Sequence, residues 1–124
     1  MKALILVAHG SRLAKSNTEV FKLVGELEKK CSGQYSIIKT AFLELSEPLI
    51  PEGIKDCVEK GARSIIILPY FLNSGRHVTD DIPNIVNNVR KQYPDVDIKI
   101  TPHLGASDLI IDLLISSADA TQLK

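Results

Sequence analysis

Apolar positions alternate between two spacings along the chain, and this alternation predicts four strands and four helices. Helices are predicted where apolar residues recur every three or four positions, over residues 16–31, 47–60, 79–93 and 106–117. Strands are predicted where apolar residues run together or alternate with polar ones, over residues 3–8, 35–43, 64–70 and 96–101. The order βαβαβαβα predicts an α/β fold with a four-stranded parallel sheet, right-handed crossovers and helices on both faces.

The details of the pattern predict where each element lies. Residues 64–70 are uncharged and rich in β-branched side chains, so we expect this strand at the centre, whereas the alternation over 96–101 is typical of an outer strand. Ser16 or Asn17 is expected to cap the first helix, and Thr79 or Asp80 the third. The last helix is predicted to be apolar, with a polar tail that frays from residue 119, and its apolar positions are Leu109, Ile110, Leu113 and Leu114.

Composition narrows the class of protein. The 124 residues fit one domain, residues 1–124, and the net charge is zero, with no Trp and 5% aromatic residues, so nucleic-acid binding is not expected. No apolar run approaches the roughly 18 residues of a membrane span. Residues 1–8 resemble a short signal peptide but are better interpreted as a buried strand. Cys31 and Cys57 form no CxxC pair, which favours reduced thiols and a cytoplasmic protein.

Chemically active side chains follow the predicted strands directly. All three histidines of the chain, His9, His77 and His103, fall in such segments, and Glu44 falls in the remaining one. In open parallel sheets, ligands bind outside the carboxyl ends of the strands. The strand assignments alone therefore predict a ligand site there, in the segments 8–11, 42–45, 71–77 and 101–105.

His9 and His77 are the strongest candidates for this site. A neutral imidazole binds divalent transition metals and accepts a proton near neutral pH. Gly10 allows a sharp turn after His9, and Gly75 predicts an unusual backbone or a close ligand approach before His77. Glu44 would complete a set of two histidines and one carboxylate. The alternatives are histidines that bond only loop carbonyls and an exposed loop or helix-start acid at Glu44.

Neighbouring polar residues add donors for an anionic ligand. Arg12 and Arg76 are suited to carboxylates, although solvated loop charge is the alternative. Asp80 and Asp81 favour a helix start, and one of them could orient the ring of His77. A surface or structural role is favoured for His103, which follows the outer strand. The candidate substrate-binding residues are Ser11, Arg12, Asn73, Ser74, Gly75 and Arg76.

Two segments resemble the small CbiX type of class II chelatase. They are the Val-Ala-His-Gly-Ser-Arg of residues 7–12 and the longer stretch 69–83, in which Phe-Leu, Gly-x-His and Asp-Ile-Pro occur in order after a proline. Residues 41–44 and the Pro-x-Leu-Gly of residues 102–105 also fit. The resemblance covers essentially the whole chain, and the long second segment makes it specific.

The resemblance implies a lyase that inserts Co²⁺ or Fe²⁺ into sirohydrochlorin without ATP, in cobalamin or sirohaem (porphyrin) biosynthesis. It implies a single chelatase-like lobe that is completed in a homodimer, with no cofactor beyond the substrate metal. His9 and His77 match the metal ligands of the family, whereas Glu44 matches an acidic position used in some relatives and His103 matches none. The catalytic residues implied are thus His9, His77 and Glu44, and imidazole and carboxylate ligands suit Co²⁺, Fe²⁺ and Ni²⁺ alike.

Two other functions use the same histidines. A metal or tetrapyrrole carrier would bind without turnover, and only an insertion assay distinguishes it from an enzyme. A phosphoryl-transfer enzyme could use His9-Gly10, but Ala8 stands where an Arg-His-Gly phosphatase motif has its arginine. The chain also has neither a GxxxxGK[ST] nor a GxGxxG loop for a nucleotide.

Overall fold

A four-stranded parallel sheet forms the centre of the computed structural model, which describes residues 1–31 and 33–122. The strands are β1 (Lys2–Ala8), β2 (Ile37–Phe42), β3 (Ser64–Pro69) and β4 (Asp97–Ile100). Their order across the sheet is β2-β1-β3-β4. The α/β class, the parallel sheet, the interior position of β3 and the outer position of β4 are confirmed.

In the described part of the chain, three α-helices and one short helical turn lie between successive strands, and a second short turn and a fourth α-helix follow the last strand. The helices are α1 (Ala14–Cys31), α2 (Ile50–Glu59), α3 (Ile82–Arg90) and α4 (Leu109–Gln122). A π-helical turn, His77–Asp81, precedes α3, and a 3-10 turn, Leu104–Ala106, precedes α4.

Both predicted helix caps are wrong. α1 begins at Ala14, before Ser16 and Asn17, and the Asn17 side chain bonds the backbone of Ser11 instead. Thr79 and Asp80 lie inside the π-helical turn, which starts two residues before the predicted cap. In both places helical structure begins before the predicted cap residue, at Ala14 in α1 and at His77 in the π-helical turn.

The main hydrophobic core lies between the sheet and the pair α2 and α3. Alternate side chains of β1 and β3 point to this face because successive residues of a strand face opposite sides. They pack against the apolar stripes of the two helices, and the fully buried members include Ile5, Ile54, Ile65, Ile67 and Val86. This layer fixes the strand ends that carry the candidate site.

The opposite face of the sheet is covered less completely. There α1 packs Val24 against Leu4, Leu6 and Ile38 of β1 and β2. Side chains of β3 on this face stay partly exposed at Ile66 and Leu68. The half of this face that belongs to β3 and β4 therefore has no close helical cover from the described residues.

The last helix, α4, differs most from the prediction. It begins three residues later than predicted and continues through Asp119 to Gln122, so fraying from residue 119 is wrong over this range, while Leu123 and Lys124 lie outside the described residues. The helix is apolar as predicted, but its large side chains are mostly exposed. In the part of the chain that is described, no helix is both long enough and apolar enough to cross a membrane.

Candidate functional site

The loops after β1 and β2 run side by side because their backbones continue the strand pairing. The Leu43 N–H donates to the Ala8 carbonyl at 2.9 Å, and the Glu44 N–H donates to the His9 carbonyl at 3.1 Å. Gly10 has a φ of +96°, and a Cβ there would lie 1.7 Å from the Glu44 carbonyl oxygen. Only glycine permits this approach, so the sequence His9-Gly10 sets His9 beside Glu44.

His9 contacts Glu44 through its outer nitrogen. The His9 Nε2 lies 2.9 Å from Oε2 of Glu44, and its Nδ1 lies 3.0 Å from the Gly10 carbonyl oxygen. Because carbonyl and carboxylate oxygens only accept hydrogen bonds, Nδ1 donates to Gly10 and Nε2 donates to Glu44, and a metal ion would take the place of the Nε2 proton. The Glu44 side chain is exposed, as expected for a loop acid, and it is also paired with His9.

His77 is held in the matching orientation by Asp81. The π-helical turn brings the two side chains onto one face, and Nδ1 of His77 donates to Oδ2 of Asp81 at 2.8 Å. Nε2 of His77 has no hydrogen-bond partner among the described residues, and the Nδ1 contact fits the predicted orienting role of an aspartate. The rings of His9 and His77 lie with their centroids 4.8 Å apart at an angle of 45°.

The structure therefore brings His9, Glu44 and His77 together at one edge of the sheet. Among residues 1–31 and 33–122, no three such donors are already arranged around a common metal position. His9 and His77 are each roughly half exposed, so their side chains can reorient towards an incoming ion. The roles of these residues in metal binding and catalysis remain predictions.

A cavity of about 420 Å³ opens beside Glu44 and His77. Its volume is within the range of small-ligand pockets. Side chains from the β2 loop, the π-helical turn and α3 line it: Leu43, Glu44, His77, Asp81, Asn84 and Ile85. The cavity combines ionisable groups with an apolar wall, which is suited to an organic ligand that carries polar groups.

The other predicted site residues form an exposed rim. Ser11 is fixed at the rim because Asn17 bonds its backbone N–H and carbonyl and because its own hydroxyl accepts from the Leu13 N–H. Arg12 and Arg76 are exposed, and no described carboxylate lies within ion-pair distance of either guanidinium. The exposed loop before His77 contains Asn73, Ser74, Gly75 and Arg76.

Two further predicted positions, Gly75 and His103, lie at this edge of the sheet. Gly75 does not have a positive φ, so the expected unusual backbone is wrong, but open space surrounds the position of its missing Cβ and would admit a ligand. His103 precedes the 3-10 turn, where its carbonyl accepts from the Ala106 N–H. None of the described side-chain bonds connects His103 to the other two histidines.

Two asparagines, Asn17 and Asn84, belong to the site but were not predicted from the sequence. Asn17 bonds the backbone of Ser11 and so fixes the loop that carries His9 and Gly10. No local signal distinguishes this long-range role from capping. Asn84 lines the cavity one helical turn after Asp81. The spacing of three residues from Asp81 could have indicated that both side chains share a face.

The chain is similar to known proteins over most of its length. A family model described as CbiX matches residues 3–121. The sirohydrochlorin cobaltochelatase of Methanocaldococcus jannaschii is 32% identical, over 95% of this chain and 98% of that protein. The sirohydrochlorin ferrochelatase of Priestia megaterium is 30% identical, over 99% of this chain and 46% of that protein. The chain thus spans nearly the whole archaeal relative and about half of the bacterial one.

Solved structures agree with the fold. SirB from Bacillus subtilis, solved with Fe³⁺, is similar with a TM-score of 0.80 and 31% identity, over 90% of this chain and 43% of that one. A CbiX protein from Marinobacter aquaeolei is similar with a TM-score of 0.77 over 99% of this chain and 98% of that one. At 24% identity, the second comparison shows the fold alone.

Proposed function

Because this chain belongs to the CbiX family, we propose that it is a lyase that inserts Co²⁺ or Fe²⁺ into sirohydrochlorin without ATP, with Ni²⁺ as a further candidate metal. Relatives named as cobaltochelatases and as ferrochelatases match most of the chain. The observation that carries the proposal is the meeting of His9, Glu44 and His77 at adjacent strand ends. Imidazole and carboxylate groups bind these metals and accept protons.

The two histidines receive the metal through their Nε2 atoms. Their Nδ1 atoms are occupied by the Gly10 carbonyl and the Asp81 carboxylate, so the same nitrogen of each ring faces the site. Insertion replaces two pyrrole protons with one divalent metal, so two protons must be accepted. His9 or His77 accepts one proton once the metal has left it, and Glu44 is placed to accept the second.

The tetrapyrrole lies across the carboxyl edge of the sheet. Sirohydrochlorin carries several carboxylates, and the exposed guanidinium groups of Arg12 and Arg76 can bind them as bidentate pairs. The donors of Ser11, Asn73 and Ser74, with the open space at Gly75, complete this proposed binding surface. The cavity of about 420 Å³ would receive one edge of the macrocycle beside His77.

We further propose a homodimer in the cytoplasm with no resident cofactor. The chain matches about half of the Priestia ferrochelatase, so a second copy would supply a second lobe over the tetrapyrrole. Both cysteines are free thiols, which is typical of a reducing compartment. The metal is the substrate of this reaction, and the histidine and carboxylate donors are provided by the chain itself.

Anaerobic mixing with sirohydrochlorin and Co²⁺, followed by the visible spectrum, tests the function. We expect His9→Ala and His77→Ala to lower the insertion rate at least about 100-fold, as expected when a catalytic base or metal ligand is removed. His103→Ala is the matched control and should keep the wild-type rate, since His103 makes no contact with the other two rings among the described contacts. Insertion by His9→Ala at the wild-type rate would overturn the scheme.

A further inference from the structure

The loop that follows His9 is bonded at two points to a side chain of α1. The Oδ1 atom of Asn17 accepts from the Ser11 N–H at 3.0 Å, and its Nδ2 atom donates to the Ser11 carbonyl at 2.7 Å. Because one planar amide bonds both backbone groups of a single residue, it fixes both the position and the orientation of that backbone. Asn17 lies in the first turn of α1, whose Val24 packs on the sheet, so the loop is attached to the core.

The first of these bonds reaches His9 through one peptide unit. The Ser11 N–H belongs to the same planar unit as the Gly10 carbonyl, which accepts from Nδ1 of His9 at 3.0 Å. The bond between Gly10 and Ser11 is trans, so its N–H and its carbonyl point in opposite directions. Asn17 therefore holds one side of this peptide unit, and the His9 ring is bonded to the other side.

The glycine before this peptide unit makes the restraint necessary. Gly10 has a φ of +96°, and the absence of a Cβ allows the adjoining peptide unit to rotate between several orientations. A rotation would turn the Gly10 carbonyl away from Nδ1 of His9. It would also break the bond to Asn17, because the N–H of the unit turns with the carbonyl. The glycine that the close approach to Glu44 requires thus leaves the orientation of His9 dependent on Asn17.

We propose that Asn17 is a positioning residue of the metal site and that it orients the His9 ring through the peptide unit between Gly10 and Ser11. The inference rests on the proposed function, because the orientation affects the reaction only if Nε2 of His9 receives the metal. Histidines that bind metals depend on a bond from their second ring nitrogen, which fixes the tautomer and the ring orientation. Asn17 fixes the acceptor of that bond.

The two histidines then differ in how their Nδ1 atoms are held. His77 donates directly to the carboxylate of Asp81 at 2.8 Å, whereas the partner of His9 is a neutral backbone carbonyl. A hydrogen bond donated by the N–H of a peptide unit polarises the unit and strengthens the bond that its carbonyl accepts. The Oδ1 atom of Asn17 therefore aligns the acceptor of His9 and also makes it a stronger acceptor.

Titration of the metal-free protein with Co²⁺ alone, under anaerobic conditions, tests the positioning role. Asn17→Ala removes both contacts to Ser11, and alanine is the better helix former, so α1 should stay folded, which circular dichroism checks. Thr18→Ala is the matched control, because the Thr18 hydroxyl donates to the Ala14 carbonyl within the same helix. We expect Asn17→Ala to raise the Co²⁺ dissociation constant about tenfold and Thr18→Ala to change it less than about twofold.

Double-mutant cycles separate the orientation of His9 from a general effect on the fold. If Asn17 acts through His9, Asn17→Ala should still weaken Co²⁺ binding about tenfold in a His77→Ala background, where His9 remains. In a His9→Ala background, the same change should alter the dissociation constant less than about twofold. A residue that only supports the fold would weaken binding equally in both backgrounds.

Asn17→Asp distinguishes the two contacts to Ser11. A carboxylate still accepts from the Ser11 N–H but cannot donate to the Ser11 carbonyl. We therefore expect Asn17→Asp to recover most of the Co²⁺ affinity that Asn17→Ala loses. Thr18→Asp adds the same charge at the next, exposed position, and it should leave the affinity at the wild-type value because solvent and salt screen an exposed charge.

Four results would overturn the positioning role of Asn17. They are wild-type affinity in Asn17→Ala, an equal loss in the His9→Ala background, an Asn17→Asp protein that binds no better than Asn17→Ala, and a Thr18→Asp protein that gains as much affinity as Asn17→Asp recovers. Wild-type affinity in His9→Ala would refute the metal role of His9 and the positioning role together. If all variants bound Co²⁺ as expected but the wild type inserted no cobalt into sirohydrochlorin, only the proposed function would be contradicted.

Discussion

Replacing Gly10 with alanine should force His9 and Glu44 apart. The added Cβ would lie 1.7 Å from the Glu44 carbonyl oxygen, in a backbone with φ of +96°. Cβ contacts under 3.0 Å are essentially never found, so the atoms must separate by the difference of 1.3 Å or more. The neighbour is backbone, not a flexible side-chain end, so the whole β2 loop has to shift.

The expected magnitudes follow from this displacement. A non-glycine residue held at an unfavourable φ costs about 1–3 kcal/mol of stability. A misplacement of about 1 Å in a catalytic geometry can cost about 100-fold in rate. We therefore expect Gly10→Ala to lower the free energy of unfolding by about 1–3 kcal/mol and the cobalt insertion rate by about 100-fold.

Urea unfolding and the anaerobic insertion assay measure the two effects separately. Gly25→Ala is the matched control, because Gly25 lies within α1 and nothing lies within 4 Å of its missing Cβ. That change should raise stability by about 0.5–1 kcal/mol through helix propensity and leave the rate unchanged.

Two outcomes would refute the reasoning. If Gly10→Ala kept the stability and the rate of the wild type, the close approach of the two loops would not constrain the site. If it lost stability but kept the rate, the contact between His9 and Glu44 would be irrelevant to metal insertion.

Three further predictions concern single side chains. Thr40→Val should raise the free energy of unfolding by about 1–2 kcal/mol, since the Thr40 hydroxyl is buried without a hydrogen-bond partner among the described atoms; destabilisation in urea would contradict this. Burial raises the pKa of the Cys57 thiol, so less thiolate is present at pH 8 and Cys57 should alkylate more slowly than the partly exposed Cys31, as mass spectrometry of labelled peptides would show. Equal alkylation rates of Cys57 and Cys31 in the native protein would refute the burial of Cys57. Asp81→Asn should weaken Co²⁺ binding about 10–100-fold because it removes the carboxylate that orients His77, and Asp81→Glu should restore part of it. Unchanged affinity in a cobalt titration would exclude this positioning role.

Much of the fold could be predicted from the sequence because its strands have strong patterns. The uncharged, β-branched run in β3 and the alternation in β4 identified an interior and an outer strand. The rule that ligands bind at the carboxyl ends of parallel strands was then enough to place His9, Glu44 and His77 at one edge.

Features that depend on the folded geometry of the loops could not be predicted. Asn17 looks like a helix cap, and only the folded loop shows that its amide bonds Ser11. The π-helical turn that joins His77 to Asp81 has no periodic signal of its own. The pattern of α4 shows that it is apolar, but it does not show that most of its large side chains stay exposed in the described structure.

The number of metal insertions per subunit tests the central claim most directly. With excess sirohydrochlorin and Co²⁺ under anaerobic conditions, the visible spectrum counts the cobalt tetrapyrrole formed above the reaction without protein. The account predicts many turnovers per subunit, which are lost in His9→Ala and His77→Ala. Product that stops at one equivalent per subunit, with tight binding of metal or tetrapyrrole, would contradict an enzyme and indicate a carrier.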